Sequence, residues 1–301
     1  MFQGDYEKAL KNYQKALKIN EQKNDMSGLY SALNNIGIIY YYQGNYPKSL
    51  EYYHEAFKIS EKNNDKKGMS FAYNNIGMIY SIQGDYPNTL EYHKKALKID
   101  EERNDQVGIG TCLMNIASTY IDLKNHPQAL EYFQKALNIG EETNNVNIMC
   151  TSAAGIGVIY LNQNKYSQAL EYFHKALKLS EKLGAQAFVA RYNTDLSKTY
   201  YSLKQYSKAL TFAKKAYHIA LEIKEKDEIK NASRALSNVY AALGNYEKAY
   251  QYHVEFKAQS DSLLNESNIK KITGLEYEYK YEKEKELAAA EQARKDALQQ
   301  A

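Results

Sequence analysis

Apolar side chains recur along this chain at helical spacing. In residues 34–60, Ile36, Ile39 and Tyr40 stand at i, i+3 and i+4, and after a polar break Leu50, Tyr53, Ala56 and Phe57 repeat the pattern. The break reads Gly44-Asn45-Tyr46-Pro47. Its glycine suits the left-handed position that ends one helix, and the Asn-Tyr-Pro that follows starts the next. Asn24-Asp25, Asn64-Asp65 and Asn104-Asp105 stand where a following helix needs an N-cap acceptor. No stretch alternates with the period of a strand. The pattern predicts helical hairpins and an all-α fold.

The hairpins are written again every 40 residues. Gly4-Asp5-Tyr6 returns as Gly44-Asn45-Tyr46, Gly84-Asp85-Tyr86, Lys124-Asn125-His126, Asn164-Lys165-Tyr166, Lys204-Gln205-Tyr206 and Gly244-Asn245-Tyr246, without an insertion. A second column is Tyr40, Tyr80, Tyr120, Tyr160, Tyr200 and Tyr240. A third runs from Ala16 through Ala56, Ala96, Ala136, Ala176 and Ala216 and fails at Phe256. A fourth is always small: Gly37, Gly77, Ala117, Gly157, Ser197 and Ser237. Self-similarity at a fixed period marks a stacked-repeat solenoid, with the small column allowing close approach and the Tyr and Ala columns filling the seam.

Leu33-x-x-Ile36-Gly37-x-x-Tyr40, then Gly44-x-Tyr46, then Tyr53-x-x-Ala56, resembles the tetratricopeptide repeat, over residues 1–263. The unit is 40 residues against the usual 34. This longer variety is similar to the repeats of kinesin light chains and of spindle-orientation adaptors with Leu-Gly-Asn repeats, and to repeat segments ahead of bacterial signalling domains. The resemblance implies a right-handed α-α superhelix and a protein that binds peptides or other proteins.

Three parts are expected. Residues 1–24 are the second helix of a truncated first repeat, 25–264 are six hairpins, and 265–301 are a charged connector helix. That gives thirteen repeat helices and a long fourteenth. Because solenoid ends are capped, a start in mid-repeat suggests a piece of a longer protein. In the last segment Ile272, Leu275 and Tyr279 begin an a/d pattern that Glu282 and Glu286 interrupt. Dimerisation through that helix is expected only where a downstream dimeric domain holds two copies together.

Composition narrows function mainly by what it lacks. A formal charge of +3, from 39 basic and 36 acidic residues, gives no general reason to expect a nucleic-acid partner or an anionic membrane surface. No run approaches the roughly 20 apolar residues of a membrane span, so no direct membrane insertion by this segment is expected. Cys112 and Cys150 read as buried thiols. Six histidines are scattered without metal-ligand spacing, and His93 and His253 occupy a core column otherwise held by Tyr13, Tyr53, Phe133, Phe173 and Ala213. Gly108-Ile109-Gly110 and Gly155-Ile156-Gly157 follow no strand, so neither is read as a phosphate loop. No nucleophile stands beside an obvious base. The expectation is a non-catalytic segment with no catalytic residue, metal or cofactor.

Candidate binding residues lie on the first helices. Tyr41, Tyr42 and Tyr201 follow the core tyrosines and should turn toward the inner surface, where apolar side chains of a ligand could be held. Asn34-Asn35, Asn74-Asn75 and Asn115 precede the Ile-Gly or Ile-Ala pair. Asparagine is a mediocre helix former, so a mid-helix ladder needs a cause, and its amide can pair with a peptide backbone. In the resembled proteins the Asn before this pair faces the groove and holds peptide, which carries over to Asn35, Asn75 and Asn115 only. The ladder fails at Gly155, Asp195 and Ala235. The alternative is hydrogen bonding between repeats, together with codon bias toward Tyr and Asn. Arg191, Lys198, Arg234 and Asn238 form a candidate anion site, Arg by its planar fork. Local pairing of Arg191 and Lys198 with Asp195 is the preferred account of the first two.

The sequence thus points to a peptide- or protein-binding repeat module. Its expected context is the sensor or interaction region of a larger bacterial signalling protein. The alternative is a stand-alone cytosolic adaptor that assembles protein complexes. The compartment is left open between the cytoplasm and the outer side of an inner membrane.

Overall fold

A computed structural model describes residues 3–263, which are helical throughout apart from short turns. The first helix is α1 (Gln3–Lys23). Hairpins follow: α2 (Met26–Tyr42) with α3 (Tyr46–Lys62), α4 (Lys66–Gln83) with α5 (Tyr86–Glu102), and α6 (Gln106–Asp122) with α7 (His126–Glu142). Next come α8 (Val146–Asn162) with α9 (Tyr166–Leu183), and α10 (Gln186–Ser202) with α11 (Tyr206–Ile223). Then α12 (Lys226–Ala242) pairs with α13, which spans residues 246–263 of the described chain. The expected C-terminal helix, with Ile272, Leu275, Tyr279, Glu282 and Glu286, lies outside the described residues.

Turn chemistry sets this spacing. A left-handed residue occurs every 20 positions, from Asn24 (φ 52) and Gly44 (φ 77) to Lys224 (φ 58) and Gly244 (φ 77). Glycine reaches that region without strain and asparagine at low cost. The next residue then caps the following helix: Asp25 Oδ1 accepts from the Gly28 amide at 3.0 Å, and Asp65 and Asp105 do the same for Gly68 and Gly108. Four helix starts, at Lys165, Ala185, Gln205 and Glu225, lack a side-chain cap.

Inside each hairpin the repeat columns become contacts. The column tyrosine stacks on a ring twelve residues later: Tyr40 on Tyr52 at 5.4 Å, Tyr120 on Tyr132 at 5.6 Å and Tyr200 on Phe212 at 5.3 Å. The small column faces the residue sixteen later. A Cβ on Gly37 would stand 2.6 Å from the Tyr53 ring, and one on Gly157 2.8 Å from Phe173. Gly155 is crowded in the same way by Phe133, which gives the Gly155-Ile156-Gly157 triplet a packing role within α8. Cys112 and Cys150 are both buried thiols.

The described chain divides into two compact units, one ending at Arg103 and one beginning at Asn104. In the first, α2 packs between α1 and α3, and α4 between α3 and α5. In the second, α6 through α12 pack in sequence order, and α10 also meets α12 directly. His253, expected in the core column, is exposed, whereas its equivalents Tyr53, His93, Phe133, Phe173 and Ala213 are buried. Tyr53, Phe133, Phe173 and Ala213 lie on α3, α7, α9 and α11, each packed against the first helix that follows it, and α13 is the last described helix.

Candidate functional site: the open face of the first helices

Each first helix buries one set of columns and leaves another open. On α2 the open set is Ser31, Asn35, Ile38 and Tyr42; on α4 it is Phe71, Asn75, Met78 and Ile82. These stand at i, i+4, i+7 and i+11, one stripe of a helix. Ile36, Ile39, Ile76 and Ile79 are buried. The asparagines therefore lie at the edge of the core and face outward.

In the first unit the amides are already bonded on one side. Asn35 Nδ2 donates to the Ser31 carbonyl at 2.8 Å, and Asn75 Nδ2 donates to Asn34 Oδ1 at 2.8 Å. Asn74 turns the other way, its Oδ1 accepting from His93 Nδ1 at 3.0 Å. His93 is 4% exposed, and burial lowers its pKa from 6.5 to about 4. Tyr41 rests edge-on against Tyr42 and Tyr46, with ring centroids 5.4 and 6.2 Å away, and burial raises its pKa.

The second unit presents different chemistry on its first helices. Asn115 lies half-buried on α6. Between α10 and α12 a cavity of about 210 Å³ is lined by Ser197, Lys198, Tyr201, Ser202, Ala235, Asn238 and Val239. Lys198, Tyr201 and Asn238 of the sequence-derived set are thus brought together. Lys198 Nζ lies 3.1 Å from Asp195 Oδ1, the local pair expected from the sequence. Tyr201 packs against Tyr206 at 5.5 Å.

The two arginines of that set are drawn elsewhere. Arg191 donates from Nε and Nη2 to Glu228 Oε1, at 2.9 and 2.7 Å. Burial opposes the charge on Arg191, the Glu228 contact outweighs it, and its pKa is raised. Arg234 lies over the Phe256 ring at 5.6 Å. Arg191 thus pairs with an acid on α12, where local reasoning gave Asp195. Glu228 carried a signal: it stands in the column of Gly28, Gly68, Gly108, Ile148 and Phe188, where no other acid occurs.

Among the described residues no cluster of His, Cys, Asp and Glu could hold a metal ion, and no helix is long and apolar enough to cross a membrane. The tetratricopeptide-repeat family model matches residues 1–62, 28–102, 68–142 and 148–222. The chain belongs to the tetratricopeptide-repeat family. No curated protein matches it.

Solved tetratricopeptide-repeat structures share its fold at low identity. A STAND signal-transduction ATPase with a tetratricopeptide repeat sensor, from Pyrococcus horikoshii, superposes with TM-score 0.69 at 19% identity, over 86% of this chain and 41% of that one. BtubC from P. vanneervenii gives 0.65 at 17%, over 73% and 92%. A Rap protein complexed with competence and sporulation factor gives 0.60 at 15%, over 85% and 86%. Such likeness speaks to fold alone. Phe71 and Ile82, on the α4 stripe of this tetratricopeptide-repeat chain, were not singled out from the sequence. Their spacing from Asn75, four before and seven after, was the available sign.

Proposed function

We propose that this chain is a non-catalytic interaction module that holds an extended protein or peptide segment against the open faces of its first helices. The observation that carries the reading is the cavity between α10 and α12, which gathers Lys198, Tyr201 and Asn238 around one space. A cation, an amide and an aromatic edge converging on one cavity suit a polar backbone or side-chain group of a bound segment. In the first unit Asn35, Asn75 and Tyr42 on the open stripes belong to the same reading, with Asn34 and Tyr41 beside them, and Asn115 belongs to it on α6 of the second unit; Asn74 is left out, since it turns to His93. Arg191 and Arg234 are left out, since Glu228 and Phe256 already engage them.

The finer form of this proposal is the sensor or interaction part of a larger signalling protein. The STAND relative, whose repeats are described as a sensor, supports that form. The Rap relative, solved in complex with competence and sporulation factor, supports a bound ligand.

A displayed library of random 12-residue peptides selected on the full chain, followed by calorimetry of the winners, tests the reading. Affinity should fall at least tenfold in Lys198→Ala/Asn238→Ala or in Asn35→Ala/Asn75→Ala. Lys94→Ala and Lys214→Ala, on exposed positions of second helices, should leave it unchanged. Winners weakened only by the second-helix changes would replace the reading with that of a scaffold assembling partners through its outer face.

A further inference from the structure

In the second unit, helices α9 to α12 are held less firmly at their starts than the helices before them. Asp105, Asn125 and Asn145 each accept from the backbone amide three residues on, and so cap α6, α7 and α8. The starts of α9, α10, α11 and α12, at Lys165, Ala185, Gln205 and Glu225, make no such bond. Each cap forgone weakens a helix start roughly fivefold in its local folding equilibrium. The turns on either side of α11 add strain. Lys204 (φ 58) and Lys224 (φ 58) hold there the left-handed conformation that suits glycine or asparagine. Lys124, between α6 and α7, is the one other lysine so placed among the described turns, and its turn leads into a capped helix.

The interior of the same segment is also thin. Every buried residue of α11 is an alanine (Ala209, Ala213, Ala216 and Ala220), whereas α7 buries Phe133 and Leu137 and α9 buries Phe173. Alanine removes less apolar surface from water than the ring at its place in the repeat, and makes fewer dispersion contacts. On α10, Asn193 Nδ2 donates to the Val189 carbonyl at 2.8 Å, but Asn193 Oδ1 is buried without a hydrogen-bond partner. So are Ser233 Oγ and Glu228 Oε2 on α12. His126 Nδ1 and Ser152 Oγ are the corresponding atoms on α7 and α8, neither of them a carboxylate oxygen. A buried polar atom left unpaired disfavours the closed arrangement, and a charged one does so most.

The cavity between α10 and α12 depends on this weak seam. Ser197, Lys198, Tyr201 and Ser202 line it from α10, and Ala235, Asn238 and Val239 from α12. Neither helix alone encloses the space, so it exists only while both are docked. The Arg191–Glu228 pair ties the two helices at 2.7 Å, but through one carboxylate oxygen. A ligand that touches both helices binds the docked form alone and shifts the equilibrium toward it.

We infer that α10, α11 and α12 (residues 186–242) open together as a locally unstable block of the second unit, and that occupation of the cavity closes them. The closing step rests on the binding reading above; the opening step does not. Local stability is unevenly spread in folded chains, and binding sites are drawn from its low end. The block then reports whether the site is filled: it is ordered when a bound segment bridges α10 and α12, and open for part of the time when none does.

Hydrogen exchange of the full chain, followed by mass spectrometry, tests both steps. Without ligand, backbone amides of α10–α12 should exchange about tenfold faster or more than those of α6–α8, and at one common rate. Lys204→Gly/Lys224→Gly/Glu225→Asp restores the residue types of the earlier turns and caps at positions outside the cavity lining. It should slow exchange in α10–α12 by about tenfold or more and leave α6–α8 unchanged. A 12-residue peptide from the library above, weakened by Lys198→Ala/Asn238→Ala, should at saturation slow the same amides by about tenfold. Exchange in α10–α12 as slow as in α6–α8, or a rate that climbs helix by helix toward α13, would overturn the opening step. A saturating peptide that leaves exchange in α10–α12 unchanged would overturn the closing step while the binding reading stood. Selection of no such peptide would overturn the binding reading and the closing step with it, and exchange of the chain alone would still decide the opening.

Discussion

Asn75 on α4 donates its Nδ2 hydrogen to Oδ1 of Asn34 on α2 across 2.8 Å. The bond joins first helices of successive repeats, and it fixes the rotamer of the side chain that makes it. On the binding reading proposed above, a carboxamide held in this way would meet a ligand with little further loss of rotamer freedom, which is the advantage of preorganisation. The contact between repeats and what remains of the carboxamide, its second N–H and its Oδ1, therefore belong to one group. The same economy appears at Asn35, whose Nδ2 is anchored on its own helix at the Ser31 carbonyl.

The uncapped helix starts make a stability prediction. Ala185 has φ −81 and ψ 77, close to Asp25 at −82 and 92, yet offers no acceptor to the free amides of α10. Ala185→Asp should place a carboxylate where Asp25, Asp65 and Asp105 already accept from the amide three residues on. An N-cap of this type is worth about 1 kcal/mol, and the negative charge suits the helix N-terminus. Thermal melting followed by circular dichroism should shift upward by roughly 2–4 °C. Ala185→Leu, with no acceptor, should give no gain. A rise of the same size in both variants would attribute the effect to apolar burial.

Much of the architecture was legible because the period never slips. Once Tyr40 and Tyr52 stand in fixed columns of one hairpin, the stack of Tyr120 on Tyr132 follows from register alone. The cap residues were legible for the same reason, since Asn24-Asp25 encodes both the left-handed turn and the acceptor. What the sequence did not reveal depends on side-chain reach between repeats. Arg191 has Asp195 one turn away, but its guanidinium extends to Glu228, 37 residues on, where burial strengthens the attraction. Which nitrogen of Asn75 faces its neighbour is likewise invisible without the adjoining helix. Phe71 escaped notice because the repeat gives its column no constant residue type: Ser31 and Thr111 stand there on α2 and α6.

His93 should make the first unit sensitive to mild acid. Burial lowers its pKa from 6.5 to about 4 in the folded state. Because the folded pKa lies below the unfolded one, protonation favours unfolding. The contribution is fully present above about pH 6.5 and is lost as pH falls from there toward about 4. Between pH 7.5 and pH 5 the loss should be on the order of 2 kcal/mol. His54 and His174 are also lowered, first of all by burial, and add in the same direction. Urea unfolding at the two pH values should show the difference, and His93→Phe, the residue type of Phe133 and Phe173 in this column, should shrink it. An undiminished difference in that variant would move the sensitivity to other groups.

The close approach of Gly157 to Phe173 predicts a strong coupling between two positions sixteen apart. A Cβ on Gly157 would stand 2.8 Å from Cε1 of a ring that is fully buried and has nowhere to move. Gly157→Ser should therefore cost about 1–3 kcal/mol by overpacking. Phe173→Ala should cost about 3–5 kcal/mol through the cavity it leaves. Ser197 opposite Ala213 shows how the pair can be rewritten: its Oγ donates to the Ala209 carbonyl at 2.8 Å, as Ser237 Oγ does to Ala249 at 2.9 Å. In the double variant the introduced hydroxyl has the Ala169 carbonyl at the equivalent place, and the missing ring removes the clash. The combined loss should then fall short of the sum of the single losses by about 1–3 kcal/mol, the range for residues in direct contact. Urea titrations of the four chains, analysed as a double-mutant cycle, measure the shortfall. Additive losses would mean that the glycine and the ring are accommodated independently, and that the pairing of Gly157 with Phe173 and of Ser197 with Ala213 has no packing origin.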